Sequence, residues 1–129
     1  MWLATKHGWF SVVCGRNVSK VDKAVMIIRA RKREHLENLI AAFKGAELGE
    51  IKSDTGTDYP CRLVVGRRTG LLVLSALANE IDYSNFKDAA HDAHPEDVEY
   101  GAFLLSTWGR GIEMEGSAPN LNRDWQGLL

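Results

Sequence analysis

The stretch that decides the fold is Val25-Met-Ile-Ile-Arg-Ala-Arg-Lys-Arg-Glu-His-Leu-Glu-Asn-Leu-Ile-Ala-Ala-Phe43. Its first part, Val25–Arg31, is rich in aliphatic and β-branched residues and predicts a β-strand. Its second part, Lys32–Lys44, predicts a helix that stops at Gly45. The helix follows from apolar residues at i, i+3, i+4 and i+7, namely Leu36, Leu39, Ile40 and Phe43.

The same order of strand, basic residues and helix recurs in Cys61–Ile81, with Arg67-Arg68 at the junction. Two such units predict an α+β fold in which helices cover one face of an antiparallel four-stranded sheet, as in ferredoxin-like proteins. Further elements are predicted as strands at Trp9–Cys14 and Leu48–Lys52 and helices at Ser84–Asp92 and Pro95–Trp108, with a loop at Gly15–Lys23.

This order, ββαββααα, places one strand before the first unit and no strong strand after the second. A circularly permuted ferredoxin-like sheet is therefore a possible arrangement. The spatial order would be Trp9–Cys14, Val25–Arg31, Cys61–Arg67, Leu48–Lys52. We expect residues 1–110 to form a single α+β domain and residues 111–129 to form a partly disordered C-terminal tail, because the tail lacks a period.

Composition places the chain among globular proteins, with 129 residues, 45% hydrophobic and 26% charged. No apolar run approaches the roughly 20 residues of a membrane helix, and the N-terminus lacks a signal-peptide pattern. We expect a cytoplasmic protein without a membrane partner. Cys14 and Cys61 are isolated, which favours reduced, buried thiols and excludes a zinc ribbon.

Charge is unevenly distributed along the chain. Residues 1–33 hold eight Lys/Arg and one Asp, a balance of +7, and residues 80–99 hold seven acids and one Lys, a balance of −6. Two interpretations stay open: the polarity attracts a partner, or the two segments neutralise each other within the fold.

Side-chain alternation predicts which sheet face is open. Eight apolar strand residues are expected to face the helices, namely Phe10, Val12, Cys14, Met26, Ile28, Ala30, Leu63 and Val65. The other face then includes Trp9, Arg29, Arg31 and Arg62. Trp and Arg are enriched at protein interfaces, so these four residues are the predicted partner-binding set. Single-stranded nucleic acid is an alternative ligand of such a face. In a third interpretation the acidic third helix or the tail covers it.

Two Asp-Tyr segments are candidates for a ligand or recognition site. They are Thr57-Asp58-Tyr59-Pro60-x-Arg62 and Ile81–Lys87, and the predicted site residues are Asp58, Tyr59, Asp82, Tyr83, Asn85 and Lys87. The competing structural interpretation makes Asp58 a turn residue or a partner of Arg62. In the second segment it makes Asp82 a helix cap and Tyr83 an anchor.

Motifs for catalysis are absent, so no catalytic residue and no cofactor is predicted, and enzymatic activity stays open. His91 and His94 lie near Asp92 and Glu96, but no other residue completes a metal site there. We therefore predict no metal.

Three blocks together resemble a family of small uncharacterised proteins of bacteria and their phages or plasmids. They are Trp2-Leu3-x-Thr5-x-x-Gly8-x-x-Ser11-Val12-Val13, Thr57-Asp58-Tyr59-Pro60-x-Arg62 and Ile81-Asp82-Tyr83-x-Asn85-Phe86-Lys87. The resemblance supplies no catalytic residues. It implies a small accessory protein encoded by a phage or other mobile element. The expected function is non-enzymatic binding of a protein partner, with homodimerisation through the open sheet face or an edge strand. The alternatives are an RNA-binding module and a small enzyme or ligand-binding protein with an Asp/Tyr/Lys pocket.

Overall fold

The computed structural model describes residues 1–53 and 56–115. In these residues an antiparallel sheet has the strand order β1-β2-β3-β5-β4. The strands are β1 (Trp2–Thr5), β2 (Gly8–Asn17), β3 (Lys20–Ala30), β4 (Lys52–Ser53) and β5 (Cys61–Gly66). The helices are α1 (Arg33–Ala42), α2 (Arg67–Asn79), α3 (Phe86–Ala93) and α4 (Val98–Ile112), and 3-10 turns lie at Lys44–Ala46 and Glu113–Glu115.

The predicted α+β class is confirmed, and the sheet has five strands in the described chain where four were predicted. Strands β2, β3, β5 and β4 are neighbours in that order, and β1 is added at the free edge of β2. Whether the fold is a permuted ferredoxin-like one is not decided by this topology and stays a prediction.

Strand β1 was not predicted, because it has only four residues and a tight turn joins it to β2. The Thr5 hydroxyl accepts hydrogen bonds from the backbone N–H groups of His7 (3.1 Å) and Gly8 (3.2 Å). Gly8 has φ +150°, a conformation that other residues rarely adopt. The turn therefore depends on a Thr and a Gly three residues apart.

The predicted loop at Gly15–Lys23 is wrong. Strand β2 continues to Asn17 and β3 begins at Lys20, so the connection is the two-residue turn Val18-Ser19. Polar residues favoured a loop, but here they lie on an exposed hairpin that extends beyond the core. The pairing register of β2 and β3 shifts between Cys14 and Gly15, and this shift marks a bulge where the hairpin leaves the core.

The core lies between one face of the sheet and helices α1 and α2. The buried sheet residues are Phe10, Val12, Met26, Ile28, Ala30, Leu63 and Val65, and the helices add Leu36, Leu39 and Val73. These sheet residues are on the predicted covered face. Of the two thiols predicted to be buried, Cys61 of β5 is buried in this core and Cys14 is only half-buried. The other two helices pack differently: Ala90 of α3 and Tyr100 and Leu104 of α4 form a separate small core.

Helix boundaries bear on two further predictions. Asn85, and not Asp82, is the N-cap of α3, because its side chain accepts a hydrogen bond from the Asp88 N–H at 3.2 Å. Helix α4 runs past Trp108 to Ile112, so the first residues of the predicted tail are helical. Residues 116–129 lie outside the described residues. Within the described ranges, no helix has the length and apolar character needed to span a membrane.

Candidate binding site on the open sheet face

A groove of about 620 Å³ lies between the open face of the sheet and helix α4. Its walls are largely aromatic, and a few charged and polar side chains line the remainder. The aromatic residues are Trp2, Trp9, Tyr59, Tyr100 and Phe103, and the others are Arg31, Lys32, His35, Glu99 and Thr107.

The two tryptophans reach this groove because of the β1–β2 register. Trp2 pairs with Ser11 and Trp9 with Ala4, and directly paired residues of antiparallel strands point to the same face. Since Phe10 points into the core, Trp9 and Trp2 must point away from it. Their ring centroids are 5.9 Å apart, and Trp9 contacts Phe103 of α4 edge-on at 4.9 Å. Trp2 is 69% exposed.

Register also aligns charged residues across the sheet. Ser11 pairs with Arg29, Arg29 with Arg62 and Arg62 with Lys52. Arg29, Arg62 and Lys52, which we call the cation row, therefore lie side by side on β3, β5 and β4, in line with Trp2 on β1. Three positive charges on neighbouring strands favour an anionic ligand.

Tyr59 is buried beneath two arginines of this face. The guanidinium carbons of Arg29 and Arg31 lie 4.7 and 4.9 Å from its ring centroid. Arg29 also donates a hydrogen bond to Ser11 Oγ at 2.8 Å, and Arg31 lies 3.8 Å from an Asp58 carboxylate oxygen. Cation–π stacking fixes the arginines over the ring while leaving their edges available for hydrogen bonds.

The structure thus brings together six of the residues that the sequence singled out. They are Trp9, Arg29, Arg31, Asp58, Tyr59 and Arg62. The last of these donates to the Thr57 hydroxyl at 3.1 Å. The partner-binding set and the first Asp-Tyr segment form one continuous surface.

The second Asp-Tyr segment lies elsewhere. Lys6 is 3.5 Å from an Asp82 carboxylate oxygen and 5.7 Å from the Tyr83 ring centroid, and Lys87 lies over the Trp108 ring at 4.3 Å. Tyr83 lines a separate cleft of about 290 Å³ with side chains from α2 and with Leu3, which pairs with core residue Phe10. The structure therefore does not bring Asp82, Tyr83, Asn85 and Lys87 to the groove.

A buried polar network at the end of the groove was not predicted. Asp97, the N-cap of α4, accepts hydrogen bonds from Lys32 Nζ (2.7 Å), His35 Nε2 (2.9 Å) and the Tyr100 N–H (3.2 Å). The backbone N–H of Trp9 donates to His35 Nδ1 at 3.1 Å. This bond assigns the ring proton to Nε2, so both nitrogens of His35 are occupied and neither is free to act as a base.

Electrostatics stabilise this network in its charged form. Burial by itself would raise the pKa of Asp97, but hydrogen bonds from Lys32, His35 and the Tyr100 N–H outweigh it and hold the pKa below its usual range. The hydrogen bond to Asp97 raises the pKa of Lys32. Burial raises the pKa of the Tyr100 phenol, which donates to the Thr5 carbonyl at 2.8 Å.

The network could not be predicted because its members are far apart in sequence. Lys32 directly precedes α1 and His35 lies in its first turn, whereas Asp97 is more than 60 residues later. One local signal existed: an Asp shortly before an apolar helical pattern is a common N-cap. No sequence signal indicates which basic residue such an Asp meets.

Metal binding finds no support in the described ranges, where no group of three or more His, Cys, Asp and Glu side chains is arranged to hold an ion. His94 Nδ1 lies 3.3 Å from Glu96 Oε1, a contact between exposed neighbours.

Comparisons with protein-family models, with curated proteins and with solved structures gave no match to this chain. The resemblance to small proteins of bacteria and mobile elements therefore stays a prediction.

Proposed function

We propose that this protein is a small non-enzymatic binding module that holds a protein partner in the groove on its open sheet face. The observation that carries the proposal is the concave aromatic surface formed by Trp2, Trp9 and Phe103. Large rings seldom remain exposed in a groove unless a ligand covers them. Trp, Tyr and Arg are also the residues that dominate the energy of protein interfaces.

Energetics of burial support this role. Trp2 is 69% exposed, so a partner that covers it removes roughly 100–150 Å² of largely apolar surface from water. At about 25 cal/mol per Å² this contributes about 3 kcal/mol before the costs of association. The edge-on contact with Phe103 holds the Trp9 ring in place, so little side-chain freedom is lost when a partner binds.

The groups next to the groove support binding more than catalysis. Both nitrogens of His35 are occupied, and Asp97 already accepts three hydrogen bonds. General acid–base catalysis requires a titratable group that reaches the substrate. Here these two side chains are committed to holding α4 against α1.

Single-stranded nucleic acid is the second candidate, favoured by the cation row. Phosphate contacts from Arg29, Arg62 and Lys52 would make binding strongly salt-dependent. The covered ring of Tyr59 argues against it, because bases stack on free aromatic faces. A titration with single-stranded RNA at low salt tests this alternative, and absence of binding there rejects it.

A pull-down from cell extract tests the main proposal. Wild type is compared with Trp9→Ala and with the double variant Arg29→Glu/Arg31→Glu, and Arg68→Glu on an exposed position of α2 is the matched control. We expect the partner to be lost with both groove variants and retained with the control. Identical partners for all four proteins, each shown by circular dichroism to be folded, would reject the role of the groove.

The finer expectations belong to the same proposal. A homodimer through the open face or an edge strand, cytoplasmic location, a circularly permuted ferredoxin-like topology and origin in a mobile element are each proposed on the sequence. Sedimentation of wild type and of Trp2→Ala addresses the first of these. A dimer that Trp2→Ala dissociates would make a second copy the partner of the groove.

A further inference from the structure

We propose that the partner segment is acidic, with one apolar or aromatic side chain in the groove and carboxylates on Arg31 and the cation row. This inference rests on the proposed function and names the chemistry of the partner.

Arg31 is the cation at the groove that is most available to a partner. Its side chain is 61% exposed, and its distance to Asp58, itself 70% exposed, is 3.8 Å. Exposed pairs of this kind contribute little, so a partner carboxylate with bidentate geometry replaces Asp58 readily. Lys32, in contrast, is held by Asp97 at 2.7 Å and by Glu99 at 3.4 Å.

The spacing of the strands fixes where the acidic residues fall. Neighbouring strands are about 4.8 Å apart, so Trp9 on β2 and Lys52 on β4 are separated by three spacings, roughly 14 Å, measured perpendicular to the strands. An extended peptide advances about 3.3 Å per residue and covers this distance in about four residues. The carboxylates are therefore expected within about four residues of the anchoring side chain.

The choice of carboxylate over phosphate follows from the same surface. Tyr59, the ring nearest the arginines, is covered by Arg29 and Arg31. The exposed ring of Trp2 and the half-buried ring of Trp9 lie on β1 and β2, toward the opposite edge of the sheet from Lys52 of β4. Glu99 lines the groove and Asp58 lies beside Arg31. A continuous phosphate backbone would be repelled by these acids, whereas a peptide places its charges at chosen positions.

Selection from a displayed library of random peptides tests the inference with the full chain at about 0.15 M salt. We expect enrichment of sequences that carry two or more Asp/Glu within about four residues of a Trp, Phe, Tyr or Leu. A synthetic peptide from the enriched pool is then titrated by fluorescence anisotropy. Its affinity is expected to fall at least about tenfold for Arg31→Glu and to be unchanged for Arg68→Glu.

Each outcome separates this inference from the proposed function. Enrichment of neutral or basic peptides that Trp9→Ala abolishes overturns the acidic partner and leaves the groove as a protein-binding site. No enrichment from folded wild type overturns both. An oligouridine strand that binds more tightly than the best acidic peptide at the same salt overturns the inference in favour of nucleic acid. If Arg31→Glu binds the acidic peptide as tightly as wild type does, the inference is overturned in favour of another binding site.

Discussion

Replacing Asp97 by Ala is the sharpest test of how the groove is built, because this carboxylate joins α4 to α1. Three donors lose their acceptor in the variant: Lys32 Nζ, His35 Nε2 and the Tyr100 N–H. The side chains of Asp97 and His35 are only 10% and 5% exposed, so water does not easily replace the lost bonds.

The magnitude follows from these three bonds. Loss of the helix cap costs about 1 kcal/mol, and the buried imidazole N–H left without an acceptor costs about 1–3 kcal/mol. Lys32 is 31% exposed and keeps its ion pair with Glu99, so the loss of its bond to Asp97 costs less than about 1 kcal/mol. Asp97→Ala should therefore lower the free energy of unfolding by about 3–4 kcal/mol. Asp97→Asn retains a capping side chain and should cost about 1 kcal/mol less.

Urea denaturation of wild type, both Asp97 variants and the exposed control Asp92→Asn measures these differences. The pKa of Asp97 is lowered by folding, so its stabilisation is present above the unfolded pKa of about 3.9 and is lost as the pH falls through the lower folded value. The gap between wild type and Asp97→Asn should therefore narrow below about pH 4. The pKa of Lys32 is raised, so its contribution is lost only above about pH 10.5.

A loss below about 1 kcal/mol for Asp97→Ala would show that the network does not hold α4, since the cap alone accounts for that amount. A gap between wild type and Asp97→Asn that is equally large at pH 3 and pH 7 would contradict the ionised, hydrogen-bonded carboxylate. In the first case the wall of the groove would have to be held by the aromatic contacts alone.

Three further substitutions test the hairpin turns and the attachment of α4. A Cβ at Gly8 would lie 2.2 Å from Cγ of the buried His35, and the φ of Gly8 is +150°. Gly8→Ala should therefore lower the free energy of unfolding by about 3 kcal/mol or more. A thermal midpoint equal to that of wild type would contradict this expectation. Val18 is 96% exposed and has φ +51°, a conformation that Asn adopts more readily than Val, so Val18→Asn should raise the free energy of unfolding by about 1 kcal/mol. A lower thermal midpoint for this variant than for wild type would show that Val18 is not strained. Tyr100→Phe leaves the buried Thr5 carbonyl without its 2.8 Å partner and should cost about 1–2 kcal/mol in urea denaturation, whereas no change would mean that water replaces the hydroxyl.

The parts of the fold that the sequence predicted are those with a local period. The strand and helix of Val25–Phe43 show periods of two and 3.6 within one segment, so α1 and the end of β3 were found near their true bounds. The start of β3, at Lys20, was missed because it lies in the polar hairpin that was predicted as a loop. The same alternation predicted that Arg29 and Arg31 point away from the core. Such inferences need no knowledge of neighbours in space.

The cation row and the groove needed information that the sequence does not carry locally. Lys52 joins Arg62 only because a two-residue strand pairs in one particular register. Trp2 joins Trp9 through a strand of four residues, which is too short to give a clear period. Phe103 completes the wall because Asp97 meets Lys32 and His35, a contact fixed by tertiary packing.

The choice of cap before α3 shows a similar limit. Asp82 and Asn85 are both residue types that cap helices, and either precedes an acceptable helical segment. Asn85 is used, and the helix begins at Phe86, whose ring packs against the small core of Ala90, Tyr100 and Leu104. The hydrophobic contact of the first helical residue decides between two caps that are locally equivalent.

The acidic segment pairs with only some of the basic residues of the first segment, and this explains why a positive face remains on the sheet. Acids of residues 80–99 meet Lys6, His7 and Lys32, which lie at the β1–β2 turn and directly before α1. Arg29 of β3 and Arg31, which directly follows the end of β3 at Ala30, point to the other side of the sheet, where they pack on Tyr59. Because helix α4 is anchored through Lys32, it forms a wall beside these arginines and does not cover them. Among the described residues, the contacts that hold the helix in place therefore also leave Arg31, whose side chain is 61% exposed, available to an acidic partner.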